Sequence, residues 1–346
     1  MRPDRAPQFP TGPGSSKKSV ACDSLDLHEG DERHNVLSFD AATVSSNAMT
    51  AILLLVLLLA GTSAYIKWAA YWVEQGASAW WFVAGAPFAY LAPVVVLVTS
   101  WFVLSWIWRT PRPPNAQLDF AGSVRLFIGE VLAVAISWPL MALHRLVIHD
   151  PLPASGQLPV ILVHGVLVND GVWFTMRRQL ARHGVYVIYT LNYGPPYGDI
   201  EHFAEQLGAK IEAICAATGA ARVFLVCHSM GGLVARAHLR QRGPARIERI
   251  ITIGTPHHGS VFARGIVGRC LAQMRPGNAW LAELNRDETK PPPVPITSIW
   301  SRHDSLVAPQ ASGELPCAEN VALVGVGHNA LLNDPRVMEL VMRVIA

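Results

Sequence analysis

The sequence predicts an α/β protein, a mostly parallel sheet with helices on both faces, preceded by transmembrane helices. From about residue 158 onward, short apolar runs alternate with longer amphipathic stretches, the pattern of successive βα units. One of those runs leads into a serine-bearing turn, Cys227-His228-Ser229-Met230-Gly231-Gly232. Ahead of residue 150 the chain is dominated by long uncharged apolar stretches. Of its 346 residues, 51% are hydrophobic and only 15% charged, more apolar than an ordinary soluble protein, and its mean hydropathy is +0.28.

Residues 1–48 are polar and rich in Pro, Gly, Ser and charge, which reads as a disordered arm or, with Met49 as the true start, a misassigned leader. Residues 49–150 form the expected membrane region. Ala51 to Ile66 carries no charge, and Trp80 to Trp108 is uncharged throughout, with Trp80, Trp81, Trp101, Trp106 and Trp108 near its ends like an interfacial belt. A cleaved signal peptide accounts for the first stretch alone but not for the second. Leu126 to Ile148 holds Glu130, Pro139, His144 and Arg145, so it either spans or lies at the interface. Arg2, Arg5, Lys17, Lys18 and Arg33 precede the first stretch, and Arg109, Arg112 and Arg125 follow the second, while only Lys67 lies between. That bias predicts an inside N-terminus. Three crossings of a bacterial inner membrane then leave the C-terminal domain in the periplasm; two leave it in the cytoplasm.

Residues 151–346 form the second domain. Strands are expected near 159–164, 185–191, 222–227, 247–253, 295–300 and 320–326, and helices near 171–183, 199–217, 230–242 and 334–345. Asp334-Pro335 supplies a cap and a first-turn Pro for the last helix. The segment 261–293 interrupts the alternation. Its apolar Phe262, Ile266, Val267, Leu271, Met274, Trp280, Leu281 and Leu284 suggest a cap over a pocket, against the alternative of a helix that completes the core.

A strand, a sharp turn bearing Ser and then a helix lift the hydroxyl to where a base reaches it, and aim the helix N-terminus at a developing oxyanion. Ser229 is therefore the candidate nucleophile. The acid and base of such a triad are sought later in the chain, at strand ends. Asp304 follows the run Val294 to Trp300, and His328 follows the run Val321 to Val326. His328 would take the Ser229 proton and Asp304 would orient the imidazole. Glu314 is the weaker candidate acid, His228 reads as structural, and His257, His258 and His303 precede Asp304. The strand Pro159 to Val163 runs into His164-Gly165-Val166, which makes the N–H of Val166 the partner of the Met230 N–H as oxyanion donors.

On these residues, together with Gly254-Thr255-Pro256-His257-His258-Gly259-Ser260 and Asp304-Ser305-Leu306-Val307-Ala308-Pro309, the region from about Leu158 to Ala346 resembles the bacterial lipase and esterase branch of the α/β-hydrolase superfamily. The resemblance implies the Ser229–Asp304–His328 triad, the Val166 and Met230 oxyanion donors, and cleavage of carboxylic esters of lipid or acyl substrates through an acyl-enzyme. A thioesterase or acyltransferase with the same triad, or an inactive membrane scaffold, are the alternatives. Cys227 departs from the family by replacing the first Gly of the serine motif. Ala330 stands where some secreted relatives carry a calcium-binding Asp, so no metal or other cofactor is expected. Some of those relatives carry a disulfide, and Cys270 and Cys317 could form one if the domain is periplasmic. A formal charge of +3 and the absence of a basic stripe with interleaved aromatics argue against nucleic acid as a partner.

Overall fold

The computed structural model describes residues 41–345; Cys22 and most of the expected N-terminal arm lie outside them. Two long helices come first. α1 (Ala41–Glu74) and α2 (Ala79–Ile107) fold back on each other through a tight turn at 75–78. Near that turn Tyr65 Oη donates to the Phe82 carbonyl at 2.6 Å, and the Trp68 ring meets Phe82 edge-on. Most of their apolar side chains face outward, Trp80 and Trp81 being more than three-quarters exposed. α3 (Phe120–Ala142) begins six residues earlier than the hydropathy suggests, because Asp119 caps it by accepting from the Gly122 N–H at 2.7 Å. It ends shortly after Pro139, and a single turn, α4 (His144–Val147), follows. Among the described residues, α1 from Met49 on, α2 and α3 are each long and apolar enough to cross a membrane.

The C-terminal domain is built on six parallel strands, β1 (Val160–Val163), β2 (Ile188–Leu191), β3 (Val223–His228), β4 (Ile247–Ile253), β5 (Ile296–Ser301) and β6 (Glu319–Leu323), in the spatial order β2-β1-β3-β4-β5-β6. The expected strands and helices lie close to those observed. α5 (Phe174–Arg182) and α8 (Pro335–Ile345) cover one face of the sheet, and α6 (Ile200–Thr218) and α7 (Met230–Arg242) cover the other. β1 and β3 are fully or nearly fully buried runs, as a sheet covered on both faces requires. The strand order reverses between β1 and β3, so a crevice opens there at the carboxyl edge of the sheet, the usual ligand position in open α/β sheets.

The membrane-type helices are packed on that same carboxyl edge. The segment between α2 and α3 is tied to the C-terminal domain: the Arg112 Nε–H donates to the Arg302 carbonyl at 2.9 Å, and the Thr110 N–H to Gln310 Oε1 at 3.0 Å. At the other end of α3, Asn169 Nδ2 donates to the Met141 carbonyl at 2.9 Å. Midway along, Glu130 is fully buried among loops that follow β5 and β6. α3 is about 35 Å long, and both of its ends and its middle are held by the domain.

Candidate active site

β3 ends at His228 and α7 starts at Met230, leaving Ser229 alone in the turn with φ +54° and ψ −127°. A non-glycine residue there is strained, and the surroundings hold it in place. The Ser229 N–H donates to the Ile253 carbonyl at 2.9 Å, while its own carbonyl accepts from Thr255 Oγ1 at 2.8 Å. Any side chain on Gly231 would run into the Val163 and His164 carbonyls, so the turn fits only with glycine there. Cys227 is accepted in place of the first Gly because it is the penultimate residue of β3 and its side chain packs into the core between the sheet and α6 and α7. Burial pushes its thiol pKa well up, so it is an inert packing group.

The candidate acid and base arrive from neighbouring strand ends. His328 Nδ1 lies 2.9 Å from Asp304 Oδ2, with both side chains buried. The other carboxylate oxygen, Oδ1, accepts from the Leu306 and Val307 N–H groups at 2.8 and 2.7 Å, which fixes the carboxylate plane. Burial alone would lower the His328 pKa. The charge of Asp304, its hydrogen bond and the charge of Glu130 outweigh burial and raise it above the ordinary value. His228 lies beside His328. Its Nε2 faces the His328 carbonyl at 3.3 Å, its ring centroid is 4.7 Å from that of His328, and burial holds its pKa well down, so it is neutral.

Gly165 abuts the serine; a Cβ on it would lie 2.8 Å from Ser229 Cβ. The loop carrying Gly165 and Val166 is held from below by Tyr193, whose Oη donates to the His164 carbonyl at 2.5 Å and whose ring stacks on His164 at 4.4 Å. Burial lowers the His164 pKa to about 4, which keeps that ring neutral. Met230 opens α7, where N–H groups have no partner within the helix. Val166 and Met230 thus flank Ser229 from β1 and α7.

Ser229, His328, Gly165 and Val166 line one cavity of about 460 Å³. Its walls are mostly apolar. Phe262, Ile266, Leu271 and Met274 come from the segment expected to form a cap; Leu271 and Met274 also belong to the core, together with Leu281 and the adjoining Trp280 and Leu284. The opposite wall is formed by Leu53 and Leu54 of α1, Leu97 and Trp101 of α2, and Trp138 and Met141 of α3. Sequence reasoning placed those residues in the expected membrane region. Hydropathy registers the loss of water and does not distinguish lipid from a protein cavity.

The remaining candidates fall outside the site. Glu314 is exposed on the loop before β6. His257 lies buried between Arg236 and the hydroxyls of Thr252 and Ser298, and His258 pairs with Glu288 at 2.8 Å. His303 Nδ1 accepts from the Gly325 N–H at 3.2 Å. Cys270 and Cys317 are free thiols, Cys270 in the core and Cys317 partly exposed, so the disulfide is not formed. Among the described residues no group of His, Cys, Asp and Glu is arranged to hold a metal ion.

A family described as a PGAP1-like alpha/beta domain matches residues 189–309. A triacylglycerol lipase from Burkholderia plantarii is 34% identical over 160 residues, covering 40% of this chain and 44% of that protein. One from Pseudarthrobacter phenanthrenivorans is 38% identical over 118 residues, covering 32% and 36% respectively. The chain thus spans less than half the length of these relatives. Among solved structures, the mature form of a Bacillus licheniformis lipase superimposes with a TM-score of 0.50 at 20% identity over 57% of this chain and 96% of that one. Aspergillus fumigatus lipase B gives 0.50 at 21% identity over 68% and 62%. At such identities the likeness is one of fold. The chain has the α/β-hydrolase fold, joined to apolar helices.

Proposed function

We propose that this α/β-hydrolase-fold chain is a membrane-anchored serine hydrolase that cleaves carboxylic esters of lipid or acyl substrates. The observation that carries the reading is that His328, paired with buried Asp304, lines the same apolar cavity as a strained, elbow-held Ser229. His328, its Nδ1–H held by Asp304, takes the Ser229 proton as Oγ attacks the ester carbonyl. The N–H groups of Val166 and Met230 receive the developing oxyanion. Protonated His328 then gives its proton to the leaving alcohol, and the same base activates the water that releases the acid from the acyl-enzyme. The apolar walls suit an acyl chain, and the triacylglycerol lipases among the relatives support an ester substrate.

In this reading α1 and α2 cross the membrane as a hairpin and α3 does not cross. The domain then lies on the same side as the arm preceding α1 and as Arg109, Arg112 and Arg125. By the positive-inside bias that side is the cytoplasm, in place of the periplasmic location expected from three crossings. Residues 49–150 serve as anchor and as one wall of the site, and 151–346 as the catalytic domain.

Turnover of p-nitrophenyl esters by the full chain in detergent tests the reading. Ser229→Ala should cut kcat by several orders of magnitude, the scale of removing a triad nucleophile, while leaving the fold intact. Near-normal turnover by folded Ser229→Ala would sink it.

A further inference from the structure

We infer that Glu130, from the middle of an apolar helix outside the catalytic domain, is a positioning residue for the general base His328. The inference rests on the serine-hydrolase reading of the site and extends the machinery beyond the triad. Glu130 is fully buried, and the donors around it come from the loops that bear Asp304 and His328. Its Oε1 accepts from Ser305 Oγ at 2.7 Å, from Asn329 Nδ2 at 2.9 Å and from the Asn329 N–H at 3.0 Å. Its Oε2 accepts from the Ala330 N–H at 3.0 Å and shares the Asn329 N–H at 3.1 Å. Ser305 directly follows Asp304, and Asn329 directly follows His328. One side chain therefore clamps the residue after the acid to the residue after the base.

The fit extends to the neighbouring backbone. A Cβ on Gly327 would overlap the Glu130 carboxylate, so the residue just before His328 must be glycine for the clamp to close. Donors surround Glu130, an arrangement that suits the acceptor-only form of a carboxylate. A buried acid in an apolar helix is costly unless its hydrogen bonds are filled, and here all of them are filled from the site loops. A helix that merely anchored the chain would need no such residue.

The charged and titratable groups facing His328 are Asp304, Glu130 and the neutral His228. The negative charge of Glu130 helps raise the His328 pKa. A role confined to packing would not act through that charge.

The test uses the full chain in detergent and measures the rate of covalent labelling by a fluorophosphonate against pH. Glu130→Gln keeps the shape, removes the charge and turns one acceptor into a donor. Its labelling rate should fall about ten- to a hundredfold, the scale of losing a partner that orients a functional group. Its acid limb should move to lower pH by on the order of half a unit, the scale of one charge acting through partly solvated protein. Glu130→Asp retains the charge on a shorter arm; its limb should stay with wild type while its rate falls. A wild-type rate and limb in folded Glu130→Gln would overturn the inference, and so would a slower rate with an unmoved limb. Should Glu130→Gln fail to fold, a wild-type rate in folded Glu130→Asp would overturn it. Absence of labelling in wild type itself would instead strike the serine-hydrolase reading.

Discussion

Asp304 divides two tasks between its oxygens, one accepting from two backbone N–H groups and the other holding His328 Nδ1. Asp304→Asn should keep the backbone bonds through its amide oxygen and turn its NH₂ toward the imidazole. The ring must then accept at Nδ1 and carry its proton on Nε2, where the base function requires a lone pair. A loss of kcat of about 10⁴ with little change in KM is the expected result. If Asp304→Asn proved silent while Glu314→Gln did not, the acid would be misassigned. The raised pKa of His328 also sets a pH window. The base works when neutral, so kcat/KM should hold above that pKa and fall as pH drops through it. The acid limb of wild type therefore belongs above about 6.5, the ordinary imidazole value; a limb well below it would contradict the electrostatics. Ser229, Asp304 and His328 could be nominated from sequence because strand ends and chain order restrict such candidates to a few positions. Glu130 was legible only as an anomaly, a charge in an apolar stretch, since its partners lie about 175 to 200 residues away in sequence.

Among the elements, the strand–turn–helix around Ser229 was readable because its period and its small residues are both local. The origin of the far cavity wall was not. α1, α2 and α3 present apolar residues on several sides, and only tertiary packing selects which of them meet the substrate. Leu97 of α2 lines the cavity. Leu97→Trp should fill part of the space and shift preference toward short acyl chains. One methylene of pocket discrimination is worth roughly 1–3 kcal/mol, so kcat/KM for a long-chain ester should fall at least several-fold relative to acetate. An unchanged chain-length profile would remove α2 from the acyl pocket. The segment 261–293 carries a similar lesson, because its apolar residues were visible in sequence while which of them line the cavity depended on tertiary packing.

In the whole molecule, the proposed arrangement puts the catalytic domain beside the membrane, on the side of the N-terminal arm. The length and apolar character of α3 suit a span, while its contacts with the domain at both ends and through Glu130 support the proposed two-crossing arrangement. Green fluorescent protein fused after Ala346 should fluoresce, and alkaline phosphatase at the same position should be inactive. The opposite pattern would restore the three-crossing arrangement and make α3 a true span. Everything proposed for the site depends on Ser229 being a nucleophile activated by His328 inside a cavity shared by both halves of the chain. Fluorophosphonate labelling of the detergent-solubilised full chain, with the adduct mapped by mass spectrometry, probes that dependence without a choice of substrate. A single adduct on Ser229 is expected, lost in Ser229→Ala and strongly slowed in His328→Ala. Folded wild-type protein that takes up no label, or takes it up on a residue other than Ser229, would contradict the assignment.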